Sequence, residues 1–480
     1  MPENLRQITV TNVLWSAVDK AGHRAFGIIA TILIARALTP EDYGLLGMLA
    51  VFIAVAGAFV DSGFGQALIR KKNVTNVDFS TVFYFNLAVG VIVYTILFFS
   101  ASFIADFYKE PKLVALSRAI FLLLIINSTS MVQNANLTKK VDFKTLTKVN
   151  LISVVISGLV GVLTAYNGFG VWALVFQSLS HATIRSITLW VFNDWRPIFA
   201  FSKESFKGLF SFGSKLLASG IIYQITTNIY QLMIGRYYDA RSVGFYTQAN
   251  RIQQMPASTI NSIIQPVTYP VLAKIQDDNI RLKKAYRKII KQITFFNFPV
   301  LFLLAIIASP FIQVLLTEKW LPAAPLLSML CIAGMLYPLQ IVNLDVLKVK
   351  GRSDLFLLLD IIKNSLLIVV LLITTPFGVH IMVFGQVILS FISYFLHAFF
   401  CSRLIGYPIK QQISDFAPYL LTTLTVGSLI FLLKFLNLDN VVLLITQSVL
   451  FAVLYLSIMR FLKCEAYNEL RGIWMQKFAE

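Results

Sequence analysis

Apolar runs of about twenty residues, separated by short polar breaks, recur along the chain from position 13 to position 462. A helix that crosses the ~30 Å hydrocarbon core of a bilayer needs about 20 predominantly apolar residues. The pattern therefore predicts spans near 13–35, 44–65, 80–105, 113–135, 149–166 and 170–192, then near 208–235, 243–272, 292–316, 324–347, 353–374 and 378–402. Two more follow near 414–436 and 440–462. The expectation is an all-α integral membrane protein with fourteen transmembrane helices.

The first twelve spans fall into two sets. FGVWALVF at 169–176 is echoed by FGVHIMVF at 377–384, an offset of 208. At that offset Phe103 and Ile104 fall on Phe311 and Ile312, and KVDFK at 140–144 falls on KVKGR at 348–352. Nearer the N-terminus the offset is 200, placing Ile34, Arg36, Gly44 and Ser62 on Ile234, Arg236, Gly244 and Ser262. An eight-residue insertion between Ser262 and Phe311 reconciles the two offsets. A unit of about two hundred residues reads as duplicated. Six spans return a chain to the side it started from, so the copies are expected to be parallel six-helix repeats related by an axis along the membrane normal. They predict two lobes, 1–193 and 205–402, around a central cavity, with two additional helices at 413–463.

Composition agrees with a lipid solvent. The chain is 57% hydrophobic, with a mean hydropathy of +0.74, against roughly 45–50% apolar in soluble domains. The first apolar run is interrupted by Asp19, Lys20, His23 and Arg24 and has no small-residue cleavage site, so it reads as a retained span. Cys331, Cys401 and Cys464 lie in or beside spans and read as small apolar residues, without a disulfide framework.

Lys and Arg concentrate in the termini and the even-numbered connections, roughly fourfold over the odd-numbered ones. Both termini are therefore expected in the cytoplasm. The net charge of +18 then sits beside anionic lipid headgroups and calls for no nucleic acid. The seven basic residues from Lys274 to Lys291 read as an amphipathic surface segment by the same logic.

Polar residues inside spans carry the candidate chemistry, because lipid would otherwise expel them. Lys20 and Arg24, four apart, share one face of the first helix with Gly27 and Thr31. Arg24 lies roughly 17 Å along its span, about midway through the hydrocarbon. For Lys20 two readings stand: a cavity cation, or a side chain that snorkels or pairs with Asp19 or Asp61. The eighth span, GFYTQANRIQQMPASTINSIIQP, is the most polar. Gln248, Arg251, Met255, Ser258, Ser262 and Gln265 follow helical spacing on one face, with Asn250, Gln254 and Asn261 beside them and a kink expected at Pro256. Gln224, Asn228 and Gln231 form a similar row on the seventh span. Amides near Tyr223, Tyr230 and Tyr246 suit sugar hydroxyls, and the competing reading is hydrogen bonding between helices. Asp360 and Lys363 are three apart and read as a structural ion pair. Arg118, Arg185 and Lys215 stand alone, reaching either headgroups or the cavity. His23, His181, His380 and His397 show no ligand spacing, so neither metal nor cofactor is expected.

Through IARALTPEDYGLLG at 34–47 and FGVWALVF, the chain resembles the polysaccharide transporter branch of the multidrug, oligosaccharidyl-lipid and polysaccharide exporter superfamily. The resemblance covers essentially the whole chain, including two six-helix lobes followed by two helices. It implies a flippase that moves undecaprenyl-diphosphate-linked oligosaccharide from the cytoplasmic to the outer leaflet of the bacterial inner membrane. A polysaccharide polymerase and other proteins of the same pathway would be its partners. Related lipid flippases use basic residues on the first and eighth helices, where Lys20, Arg24 and Arg251 stand here. Those three are thus candidates for the diphosphate, and Gln224, Asn228, Gln231, Gln248, Gln254 and Asn261 for the glycan. Asp19, Asp61 and Asp360 are the carboxylates open to ion coupling.

Two other functions compete with this reading. An ion-coupled multidrug exporter of the same fold would place a carboxylate in the cavity, where cations dominate here. A membrane glycosyltransferase or polysaccharide polymerase would present a large outside loop with acidic catalytic residues, whereas outside connections here are about a dozen residues or fewer. With no nucleophile–base pair, phosphate loop or metal cluster in the sequence, an enzyme is not expected.

Overall fold

The computed structural model describes Gly22 and residues 26–61, 63–436 and 438–469, apart from the side chains at 212, 215 and 260–267. Among the described residues every regular element is helical. The series begins with α1 (Phe26–Ala37), α2 (Pro40–Asp61), α3 (Phe64–Arg70), α4 (Asn76–Phe99), α5 (Ala101–Tyr108), α6 (Leu113–Ile120), α7 (Leu122–Lys139), α8 (Phe143–Tyr166) and α9 (Trp172–Phe192). It continues with α10 (Lys203–Tyr237), α11 (Ala240–Lys274), α12 (Asn279–Ile306), α13 (Ala308–Leu316), α14 (Ala323–Met335), α15 (Tyr337–Val349), α16 (Ser353–Thr374), α17 (Val379–Ile405), α18 (Ile409–Phe431) and α19 (Asn440–Phe461).

Among the described residues, ten helical segments are long and apolar enough to cross a membrane. α9, α10 and α11 fall outside that set although a span was expected over each, and α1 is the described part of the first. α10 and α11 have 35 residues each, about 52 Å at 1.5 Å per residue, so length is not what excludes them. Their polar rows are.

Helix boundaries recur in the two parts of the sequence. α4 and α5 break at Ser100 as α12 and α13 break at Ile307, and α6 and α7 are followed by α8 and α9 as α14 and α15 are by α16 and α17. The echoed FGV stretch is a helix entry. Gly170 and Gly378, at φ 53° and 101°, take the left-handed backbone just before α9 and α17. The basic turns correspond slightly differently from the sequence alignment. Lys140–Val141–Asp142 matches Lys350–Gly351–Arg352, with Val141 at φ 59° where Gly351 has 67°.

Compactness divides the chain later than the repeat does, into Met1–Gly244 and Phe245–Glu480. In the first unit α10 packs along α2 and α3, and Phe64, Phe79, Phe83, Val132, Trp195 and Leu209 form a shared core. Local chemistry fixes where α2 and α11 start. Thr39 and Asp42 close a capping box, with Asp42 Oδ2 accepting from Thr39 N at 2.8 Å and Thr39 Oγ1 from Asp42 N at 3.3 Å, and Pro40 occupies the first helical position. Asp239 Oδ1 accepts from Ser242 N at 2.6 Å at the other start. The two first turns lie against each other at glycines. A Cβ on Gly44 would fall 1.5 Å from Ala240 O, and one on Gly244 1.8 Å from Pro40 O. The alignment of Gly44 with Gly244 is thus a reciprocal backbone contact that only glycine permits.

In the second unit α12 is the centre, packed by α14 and α18, while α17 joins α14, α15 and α16. Phe295 of α12 meets Tyr419 of α18 and Tyr455 of α19, whose hydroxyl donates to Phe295 O at 3.0 Å, so the last two helices are built into this unit. The basic stretch from Lys274 to Lys291 is amphipathic, with Leu282, Tyr286 and Ile290 buried and Arg281, Lys284 and Lys288 exposed. It closes α11 and forms the first turns of α12, which continues into the apolar span without a break.

Candidate functional site

α11 divides cleanly by exposure. Val243, Tyr246, Ala249, Ile252, Gln253 and Ala257 are buried, while Arg251, Gln254 and Ser258 are exposed at three- and four-residue spacing. Gln254 Nε2 donates to Asn250 Oδ1 at 3.3 Å, and the Ser258 hydroxyl donates to Met255 O at 3.2 Å. Arg251 makes no hydrogen bond or ion pair among the described residues. Its five N–H donors are available to a ligand. The helix runs unbroken past Pro256.

Gln248 lies on the inner side of this face, 1% exposed, with no partner for its Oε1 among the described residues. On α10, Gln231 is 7% exposed and its Oε1 is likewise unpaired there. Gln224 and Asn228 are half-buried, joined by Asn228 Nδ2 donating to Gln224 O at 2.8 Å, and Tyr223 is exposed beside them. Gln231 and Gln248 are thus sequestered in this conformation, and Gln224, Asn228 and Gln254 are reachable.

Lys20, Arg24 and Asp19 lie outside the described residues, as do the side chains of Asn261 and Lys215. Asp61 is exposed at the end of α2. Asp360 is exposed on α16 and accepts from Asn364 Nδ2 at 3.5 Å. No ion pair joins it to Lys363 among the described residues, which corrects the expected pair: three residues of spacing bring two side chains to one face but do not make them meet. Arg118 and Arg185 have structural roles. Arg118 Nε donates to Phe98 O at 3.4 Å at the end of α4, with its guanidinium over the Phe98 ring, and Arg185 Nη2 donates to Asn134 Oδ1 at 2.9 Å.

A polar hub at the basic end of α12 was not foreseen. Asp415 of α18, 8% exposed, accepts from Arg287 Nε at 2.6 Å and Nη2 at 2.8 Å and from the Tyr407 hydroxyl, with Lys291 Nζ at 3.7 Å. Lys291 also binds Glu465 at 2.8 Å, and Lys288 binds Glu469 at 2.6 Å, so the segment after α19 is tied to α12. The hydrogen bond from Lys291 holds the Glu465 carboxyl below the usual glutamate range. With Arg281 paired to Asp278 at 3.3 Å, four of the seven basic residues are matched by carboxylates.

Residues 33–325 match the profile of a family described as polysaccharide biosynthesis protein. The chain is 29% identical over 357 residues to the teichuronic acid biosynthesis protein TuaB of Bacillus subtilis (strain 168), covering 74% of each. It is 26% identical over 400 residues to the lipopolysaccharide biosynthesis protein WzxC of Escherichia coli (strain K12), covering 82% of this chain and 81% of that one. Among solved structures it resembles the lipid II flippase MurJ in an inward closed conformation, with TM-score 0.76, 16% identity, and 94% and 99% of the two chains covered. An inward-facing multidrug resistance MATE family transporter of the MOP superfamily aligns with TM-score 0.63 at 16% identity, over 80% of this chain and 95% of that one.

Proposed function

Because the chain belongs to the polysaccharide biosynthesis protein family, matched over well more than half its length, we propose that it is a flippase carrying lipid-linked oligosaccharide across the bacterial inner membrane. The observation that carries the reading is Arg251: an exposed cation with no protein acceptor among the described residues, on a helix of spanning length within a fold like that of MurJ. An isolated arginine in hydrocarbon is costly, so it needs an aqueous cavity or an anionic cargo. A diphosphate supplies the anion, Gln224, Asn228 and Gln254 suit the sugar, and a polyprenyl tail remains in lipid. Transport, not catalysis, is the activity.

The finer reading has fourteen spans in two parallel six-helix repeats, 1–193 and 205–402, around a central cavity, followed by two helices at 413–463. The recurrence of helix boundaries and of the glycine-led helix entries supports it. Lys20 and Arg24 join Arg251 as the diphosphate cations, and alternating access moves the cargo. Both termini lie in the cytoplasm, so a cysteine placed at Asp277 resists impermeant thiol reagents in intact cells. Labelling there from outside would refute the orientation.

The decisive experiment measures surface glycan in a strain lacking its own flippase, normalised to membrane protein level. Arg251→Ala is expected to reduce export severely, Arg251→Glu more so, and Arg251→Lys to retain part of the activity, since charge is kept and bidentate geometry lost. One cation at ~5 Å contributes about 3 kcal/mol per unit charge at an effective dielectric of ~20, enough for more than a hundredfold. Near-normal export by Arg251→Glu would overturn the proposal.

A further inference from the structure

The connection between α9 and α10 is a fixed strap, and its outer surface has a chemistry the transport reading does not use. Ile198 N donates to Ser80 Oγ and Ser202 N to Thr81 Oγ1, both at 3.0 Å, on the first turns of α4. Asn136 Nδ2 donates to Asn193 Oδ1 at 3.0 Å and Gln133 Nε2 to Trp195 O at 3.2 Å, fixing the strap to α7. Arg196 donates to the carbonyls of Trp190, Asn193 and Trp195, closing the end of α9. Trp195 is buried against Phe79 and Phe83.

With so many polar groups paired inward, what remains outside is apolar and cationic. Phe199 is 102% exposed and Phe201 53%, with Ile198 and Phe210 also outward. Lys203 and Lys207, four apart on α10, are exposed and make no hydrogen bond or ion pair among the described residues. Asp194 and Glu204 are the acidic neighbours, against Arg196, Lys203 and Lys207. The strap sits where α9 ends and α10 and α4 begin, and α4 is long and apolar enough to span a membrane.

We infer that the strap is a membrane-surface anchor: Phe199 and Phe201 enter the acyl–headgroup boundary while Lys203 and Lys207 hold the phosphates of anionic phospholipid. Apolar rings with lysines at helical spacing fit that boundary, the rings shedding water and the ammonium groups keeping theirs. Each lysine near an anionic surface favours the bound position by roughly fivefold. Being strapped, the anchor pays little ordering entropy when it inserts. Through Trp195, and through Phe201 whose ring lies 6.0 Å from that of Phe206 on α10, it would hold α10 and this end of the first unit at a fixed depth.

The test uses the full chain with Cys331, Cys401 and Cys464 replaced by Ser or Ala, and a nitroxide at Phe199→Cys or, as the aqueous control, Lys72→Cys. Protein is reconstituted in nanodiscs of phosphatidylcholine alone or mixed with phosphatidylglycerol. The label at 199 is expected to collide with oxygen far more than with a water-soluble nickel chelate, the reverse of the label at 72. Phosphatidylglycerol is expected to deepen it, and Lys203→Gln with Lys207→Gln to abolish that difference. Free access of nickel to position 199 in both lipids would overturn the anchor. Shielding from oxygen and nickel alike would also overturn it, because a protein surface would then cover the strap. Phe199 is fully exposed, so its replacement does not threaten folding.

Discussion

Replacing Gly44 by alanine tests the reciprocal contact between the starts of α2 and α11. The new methyl carbon would lie 1.5 Å from Ala240 O and 2.4 Å from Ala240 C. Real carbon–oxygen contacts lie beyond about 3 Å, so the two helix starts must separate by roughly 1.5–2 Å. The obstacle is backbone and cannot rotate away, which puts the cost at or above the upper end of the ~1–3 kcal/mol usual for overpacking. Gly244→Ala meets Pro40 O at 1.8 Å and should cost a similar amount. Both substitutions break one contact, so the double variant should cost well less than the sum, with a coupling of about 1–3 kcal/mol. The matched control is Gly57→Ala in the same helix, where nothing lies within 4 Å. There the helix propensity of alanine should give about 0.5–1 kcal/mol of stabilisation. Apparent melting temperature in detergent ranks the variants, and a bifunctional thiol reagent across Glu41→Cys and Arg241→Cys reports the contact itself. If Gly44→Ala behaves like Gly57→Ala, or the two effects simply add, the contact does not hold the helices as described.

Three further outcomes are expected. Asp415→Ala removes the acceptor of Arg287 and Tyr407 and should cost about 2–3 kcal/mol, less than a fully buried pair because Arg287 is 42% exposed. Thermal stability that matches wild type would show the hub to be decorative. Glu465 is depressed in the folded protein, so the stability it contributes is present above the ordinary glutamate pKa and is lost as pH falls through its lowered value. Protection of residues 465–469 from hydrogen exchange should therefore fall once pH drops below the ordinary glutamate range, and Glu465→Gln should flatten the dependence. Val141 holds a left-handed backbone at φ 59°, a conformation that costs a branched residue about 1–2 kcal/mol. Val141→Gly should raise stability by roughly 0.5–1 kcal/mol after glycine's larger unfolded-state entropy is counted, and a loss of stability would show that the side chain packs.

Ten spans were legible because nothing but hydropathy is needed to place a helix in lipid, and glycine-led entries such as Gly170 and Gly378 marked where two of the helices begin. Pairs remote in sequence were not. Arg287 and Asp415 are 128 positions apart and belong to stretches that read separately as a basic surface and an apolar span. Sequence alignment placed Gly44 on Gly244, yet only the folded chain shows each glycine receiving the other helix's first carbonyl.

The candidate site shows the same limit in a single helix. Gln248, Arg251 and Ser258 fit one helical row, but at 3.6 residues per turn Gln248 lies about 60° round from Arg251. That angle separates a side chain 1% exposed from an exposed one. Helical spacing defines a face without saying where its edges are, because the edges are set by neighbouring helices. The exposed strip of α11 is narrower than the polar row, and it leaves Arg251, Gln254 and Ser258 outward as the residues we propose for cargo contact. Gln248→Ala should therefore act on stability and Gln254→Ala on export. Export lost in Gln248→Ala at unchanged stability would mean that the helix turns its inner edge toward the cargo during transport.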